Sequence, residues 1–441
     1  MNKEQLSFHK SRRKEFSKLI GNDALAIVFG NTHRNKSYDG DYKFKQYKNF
    51  YYLTGFTEPN SALVIAPGGI KVTRSGKKNS VKELLYVQQN DERLETWNGK
   101  RMGYKNVKKS LGIENADINE NLCKILHYNE LKNFRKLYLN IAEMLKLTEE
   151  MKKIISEFID SLNRIAPHTE IIDVSYILGT MRSIKTEFEI NRIIAASEIS
   201  IGSYNEILSI LQPGMNEFEI QSALEYYYRY HGGDDTAYHP IVASGENACI
   251  LHYEKNDKRL KENELLLIDS ASEYNYYCSD ITRTFPINGK FSNEQKQIYE
   301  IVLKANKECI KKTKPGVKFS SVAELSNRIL AEGLFKAGLI KDKTKIRKYS
   351  LHGIGHHIGL DTHDAVPSSL TKNSDTDTLK PGMILTIEPG LYFTDKMKEI
   401  PAKYRGMGVR IEDVVLVTKA GPKVLTGGIV KEVKDVERMM E

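Results

Sequence analysis

Four carboxylates in the second half of the chain lie at the ends of, or inside, short apolar runs, where an ionised side chain is hardest to accommodate. LLLID ends on Asp269, and SDITRTFPI carries Asp280 into a further strand-like run eleven residues on. MILTIEPGLYF carries Glu388 between Ile387 and a Pro-Gly turn, and GVRIEDVVLVT carries Glu412 within an otherwise β-branched and apolar run. The residues joining the two aspartates, SASEYNYYC, have turn or hairpin character. Period-two alternation puts Glu412 on the face of Arg410 and Val414, opposite Val409, Ile411 and Asp413. Taken singly, an aspartate here caps a turn and a glutamate faces solvent. Taken together, carboxylates on neighbouring buried strands repel one another and lose their hydration, and a cation between them removes both penalties.

A histidine-rich segment adds a nitrogen donor. YSLHGIGHHIGLDTHD, residues 349–364, holds His352, His356, His357 and His363 within twelve residues. A single histidine is more often a satisfied core residue, but four at this density point to metal binding, since imidazole is the commonest metal-binding side chain. Gly353, Gly355 and Gly359 allow the backbone to approach closely. The segment does not match HExxH, which excludes the helical zincin arrangement. Four carboxylates and one imidazole make a hard, oxygen-rich set suited to two divalent cations.

A chain of 441 residues is too long for one typical core, so two domains are expected. From Ala24 to about Ile172, apolar runs such as ALAIVF and SALVIA alternate with polar helical stretches, which indicates an α/β domain. Its last long helix is expected over Leu145–Asn163, with Met151, Ile154, Ile155, Phe158 and Ile159 at helical spacing. A new unit then opens with a capping-box spacing, Thr186 to Glu189, ahead of helices around Asn191–Leu211 and Glu217–Tyr230. Beyond Tyr238 the pattern changes to short strands separated by turns. The net charge of +9 comes from scattered lysines accompanied by 57 acidic residues, so a solvated surface is expected and nucleic-acid binding is not. No apolar run approaches the roughly 20 residues that span a bilayer, and the charged N-terminus lacks a secretory apolar core. Cys123, Cys249, Cys278 and Cys309 lie far apart without a CxxC pair. That spacing argues against a disulfide framework or a cysteine zinc site, and a reducing, cytoplasmic setting is expected.

The order of these residues resembles the pita-bread metallopeptidases: Asp269, Asp280, His356 in an HGIGH context, Glu388 in TIEPG and Glu412 in RIED. Within that superfamily the chain most resembles the Xaa-Pro aminopeptidase, or aminopeptidase P, family. GENACILHY, IDSASEYNYYCSDITRTFPINGKF, LHGIGHHIGLDTHD, LKPGMILTIEPGLYF and YRGMGVRIED look like that family's blocks. RNKSYDGDYKFKQYKNFYYLTGFTEPNSALVIAP and ETWNGKRMG are similar to its amino-terminal domain, so the likeness runs nearly the whole length. Two departures touch only loops: Val414 follows RIED where the family often has an acidic residue, and HDAVPSS stands where a glycine commonly follows the HD pair.

The resemblance implies a creatinase-like α/β amino-terminal domain over residues 1–175. Residues 176–441 would form an α+β pita-bread catalytic domain with a curved, mostly antiparallel sheet and pseudo-twofold symmetry. It implies that Asp280 and Glu412 bridge two metal ions, that Asp269 completes one shell and that His356 and Glu388 complete the other. Manganese is the usual ion of similar enzymes. His252 and His363 match histidines that steady the tetrahedral intermediate, and His352 matches one lining the proline pocket. Tyr392 and Arg410 fall near the substrate's carboxyl side, and Trp97 resembles part of a substrate-lining loop reaching a neighbouring subunit of a homo-oligomer. The implied reaction releases the N-terminal residue ahead of proline by attack of a metal-bridging hydroxide, with Glu388 moving the proton. Prolidase shares the ligands but cuts dipeptides, whereas a methionine aminopeptidase leaves the long amino-terminal domain unexplained. A non-catalytic pita-bread binding protein is a further alternative, although such members have lost ligands and here all five are present.

Overall fold

The computed structural model describes residues 1–74, 77–126, 128–145, 149–364 and 377–441, which form two compact units, Met1–Gly179 and Thr180–Glu441. The segment HDAVPSS lies outside the described residues beyond Asp364, as do residues 146–148 at the start of the expected Leu145–Asn163 helix.

In the first unit, helix α1 (Lys3–Ile20) precedes strand β1 (Ala24–Phe29). Strands β2 (Ala62–Arg74), β3 (Lys77–Val87), β4 (Ala116–Ile118), β5 (Lys136–Leu139) and β6 (Glu170–Asp173) complete a six-stranded sheet in the order β4-β3-β2-β1-β5-β6. Strand β1 pairs antiparallel with β2 and parallel with β5, so the sheet is mixed. Residues Ala24–Val28 of the ALAIVF run are all buried, as a strand covered on both faces requires. Helix α2 (Glu149–Ile165) lies where the periodicity places it, and Phe158 meets Phe29 edge to face at 6.2 Å. The side chains of Met151, Ile154 and Ile155 lie outside the description.

The second unit repeats one construction. Helix α3 (Glu187–Ile210) starts at the expected capping box, with the Thr186 backbone donating to Glu189 at 2.9 Å. With α4 (Glu217–Tyr230), it buries Tyr204, Ile207, Leu224 and Tyr228 against a hairpin whose long strands are β8 (Leu265–Asp269) and β11 (Thr282–Pro286). Strand β7 (Ile241–Ser244) pairs along the other edge of β8. The tip of the hairpin is β9 (Ser272–Tyr274) and β10 (Tyr277–Cys278), turning through Asn275 and Tyr276, both at positive φ.

The second copy of the plan uses helices α5 (Asn293–Lys312) and α6 (Phe319–Lys336). These cover strands β12 (Ile384–Ile387), β13 (Gly390–Phe393), β14 (Met407–Arg410) and β15 (Asp413–Thr418). Ile298, Tyr299, Val302 and Leu334 pack against Leu391, Phe393, Val409 and Ile411. Strand β12 pairs with β15 and β13 with β14, all antiparallel. GVRIEDVVLVT is therefore not one continuous strand: the ladder stops at Arg410 and resumes at Asp413, leaving Glu412 in the gap. The expected alternation of faces survives the break, because Arg410 and Glu412 share Thr282 as a hydrogen-bond partner whereas Asp413 binds Arg283 and Lys431.

Candidate metal centre

All four carboxylates stand at interruptions of these two hairpins. Asp269 ends β8 opposite Thr282, and Asp280 lies two residues before Thr282 on the returning strand. Glu388 and Pro389 separate β12 from β13, facing the gap that holds Ile411 and Glu412. The hairpins dock where the Glu412 amide donates to the Thr282 carbonyl at 3.0 Å. A side chain at such a break is released from the pleat, which otherwise fixes its direction.

His356 arrives on a stretch laid along β12: the Thr386 amide donates to the His356 carbonyl and the Glu388 amide to the Ile354 carbonyl, each at 2.8 Å. Gly355 makes this contact possible, since a Cβ there would sit 2.0 Å from the Thr386 oxygen. Gly353 has no comparable constraint, its nearest neighbour to a built Cβ lying 4.0 Å away.

Ligand atoms of Asp280, His356 and Glu412 all lie within 4.8 Å of one another. His356 Nε2 is 3.3 Å from Asp280 and 3.7 Å from Glu388, while its Nδ1 lies 3.1 Å from the His357 carbonyl. Nδ1 donates to that carbonyl, so Nε2 is the nitrogen that would bind a cation once the ring gives up its second proton. Asp269 and Asp280 share the Tyr238 hydroxyl at 2.6 Å each, and Asp269 also receives Arg410 at 2.5 Å. Glu412 accepts from the Thr282 hydroxyl at 2.7 Å.

The protein's own cations do not neutralise this set. Burial pushes the Glu388 carboxyl up to about 7, with Asp280 and Asp269 adding to the rise against His356 and Arg410. Burial, then Asp280 and Glu388, lifts Glu412 well above the usual range. Asp269 is also raised, by burial, even though Arg410 opposes it. For His356, burial alone lowers the value, but Asp280 and Glu388 outweigh it and bring it to about 9. Buried carboxylates that hold protons in this way, beside an imidazole whose Nε2 faces them, fit a centre for divalent cations.

A model described as metallopeptidase family M24 matches residues 191–419, and one for the aminopeptidase P N-terminal domain matches residues 9–138. The chain belongs to metallopeptidase family M24. An Xaa-Pro aminopeptidase of Haemophilus influenzae is 35% identical over 98% of this chain and 96% of its own. The Xaa-Pro aminopeptidase of Escherichia coli is 32% identical over 97% of this chain and 96% of its own. Among solved structures, an aminopeptidase from Pseudomonas aeruginosa superposes with a TM-score of 0.88 at 31% identity, covering 99% of this chain and 98% of that one. The Escherichia coli aminopeptidase P bound to the inhibitor Pro-Leu gives 0.87 at 31% identity, with the same coverage of both chains. As an M24 member with this two-domain fold, the chain is a peptide hydrolase.

A polar chain borders the M24 centre. Arg410 donates to the Tyr392 hydroxyl at 2.8 Å, Tyr392 reaches His352 Nε2 at 2.7 Å, and His352 Nδ1 lies 2.8 Å from the Gly353 carbonyl. Burial and Arg410 lower His352 to about 4, so its 3.3 Å approach to Glu388 is a contact of a neutral ring. His363 is exposed, with its ring centroid 4.2 Å from that of His356. His252 is also exposed, on the loop that follows the Gly245–Cys249 turn. Trp97 belongs to the first unit, 81% exposed on a short helix, Glu92–Asn98.

Two residues of the centre had not been singled out from the sequence. Thr282 was legible in principle, two residues after Asp280 and on the same face of the run. Tyr238 lies outside any apolar run and gives no comparable signal.

Proposed function

We propose that this chain is a metal-dependent aminopeptidase that releases the N-terminal residue from peptides with proline in second position. The observation that carries the reading is the convergence of Asp269, Asp280, His356, Glu388 and Glu412 at the breaks of two docked hairpins, beside the chain Arg410–Tyr392–His352. The five residues would hold two divalent cations, and four carboxylates with a single imidazole favour a hard ion such as manganese. Such cations acidify water and polarise a carbonyl.

The chain's own residues do the rest. Glu388 takes a proton from the attacking water and delivers it to the proline nitrogen as the C–N bond breaks. His252 and His363 donate to the oxygen that becomes negative. His352, Tyr392 and Arg410 line the proline side of the substrate. That side needs a shaped pocket, because a proline nitrogen in a peptide bond has no hydrogen to offer.

The finer parts of the reading are a homo-oligomer in which Trp97 lines a neighbouring subunit's site, and a cytoplasmic location. Among the described residues no helix is long and apolar enough to cross a membrane. The test is digestion of Xaa-Pro-Yaa tripeptides and Xaa-Pro dipeptides with added manganese, read by mass spectrometry. Tripeptides should be cut faster, releasing one free amino acid, and alanine in place of proline should lose much of the rate. Dipeptides cleaved well while tripeptides survive would mean a prolidase.

A further inference from the structure

His252 is an exposed ring with no hydrogen-bond partner among the described residues, on a loop packed against β14 next to Arg410: a Cβ on Gly408 would sit 2.3 Å from the Ala248 carbonyl oxygen. Its position therefore depends on the loop that carries it, residues 245–258. That loop closes on one side chain. Glu217, the first residue of α4, is fully buried, and its carboxylate accepts five donors from four residues. Oε1 takes the Ser244 amide at 2.7 Å, the Ser244 hydroxyl at 2.8 Å and the Asn247 amide nitrogen at 3.1 Å. Oε2 takes the Tyr253 hydroxyl at 2.9 Å and the Lys258 amide at 3.0 Å. The Glu217 amide in turn donates to the Lys258 carbonyl at 3.0 Å, so the two ends of the loop are pinned to one residue.

We propose that Glu217 is a positioning residue for the reaction: through Tyr253, the neighbour of His252, and through Asn247 it holds His252 where it meets the substrate. The inference rests on the reading of His252 given above. A carboxylate suits the task because it only accepts, and the first turn of a helix favours its charge. An amide of the same shape turns two hydrogens toward donors and cannot satisfy the five.

The test is a double-mutant cycle of Glu217→Gln and His252→Ala in the manganese-loaded enzyme, with hydrogen exchange followed in the metal-free protein. Glu217→Gln alone should lower kcat roughly tenfold with KM within about twofold. In the His252→Ala background it should add less than about a twofold loss, because the group it acts through is gone. Exchange should quicken in residues 244–258 and not around His356. Tyr253→Phe removes one of the five donors with little threat to folding, and should give a smaller loss of the same kind that also vanishes in the His252→Ala background. Losses that multiply, or exchange that does not change, overturn the positioning role while leaving His252 as a catalytic group. A His252→Ala enzyme with full kcat overturns the role of His252, and the proposal falls with it by a separate route.

Discussion

Loss of the Glu388 proton should destabilise the metal-free site as pH rises, and metal loading should reverse that contribution. In the metal-free site Glu388 is raised from 4.5 to about 7, so the folded state holds a proton that the unfolded chain gives up. A carboxyl raised in the folded state is no burden below its unfolded value, and the full penalty is present above its folded value. The window is therefore pH 4.5 to 7, and the penalty is about 3 kcal/mol. Glu412 and Asp269 are raised too and act in the same direction. For a unit the size of Thr180–Glu441, that amount lowers Tm by roughly 6–12 °C. Cations replace the protons on loading, which releases them, so affinity and the stability it confers grow with pH. The assay is calorimetry of chelated and manganese-loaded protein at pH 5.5 and 8, with Glu388→Gln as the control that removes this proton. The metal-free parent should lose more Tm between the two pH values than metal-free Glu388→Gln does. Equal pH slopes for parent and control, or a metal-free parent that gains stability relative to the control, would refute the reasoning.

Asp280→Asn removes a negative charge proposed to be shared by both cations, and should abolish turnover and metal loading; two bound metals and near-normal rates in a folded variant would end the bridging assignment. Glu388→Gln should lower kcat by about 10²–10⁴-fold, and a change confined to KM would remove its proton-transfer role. Light scattering should report a homo-oligomer, and a fully active monomer would contradict the role given to Trp97.

Much of the centre was legible because buried charge is rare enough to be conspicuous. Asp269 closing LLLID and Glu412 inside GVRIEDVVLVT stand out against apolar neighbours, and the resemblance ordered them into one set. The interruptions themselves were not legible. RIED reads as continuous strand, since Ile411 is as β-prone as its neighbours. The ladder breaks because Glu388 and Pro389 oppose it on the facing strand, and Pro389 has no amide hydrogen to offer. The support under the site was hidden for a similar reason. Glu217 in NEFEIQ looks like an ordinary acidic first turn of a helix, and only the fold reveals that the loop ending at Lys258 closes over it.

Adjacent residues 412 and 413 show how the fold separates structural from functional acid. Asp413 is buried against Arg283 at 2.8 Å and Lys431 at 2.5 Å. Burial would raise its carboxyl, but the two cations outweigh it and hold it below the usual range. Glu412, one residue earlier and also buried, is given a hydroxyl and no cation among the described residues, and its carboxyl rises well above that range. The same division holds elsewhere. Asp364 is kept low by Arg182 and Lys185 against its burial, and Glu217 has its five donors. Where internal partners suffice, a buried carboxylate is cement. Asp269, Glu388 and Glu412 stay raised in spite of their partners among the described residues, which distinguishes them from Asp413 and Asp364. We propose that a divalent cation balances the charge of the three, the strand breaks turning side chains of two separate hairpins toward one place.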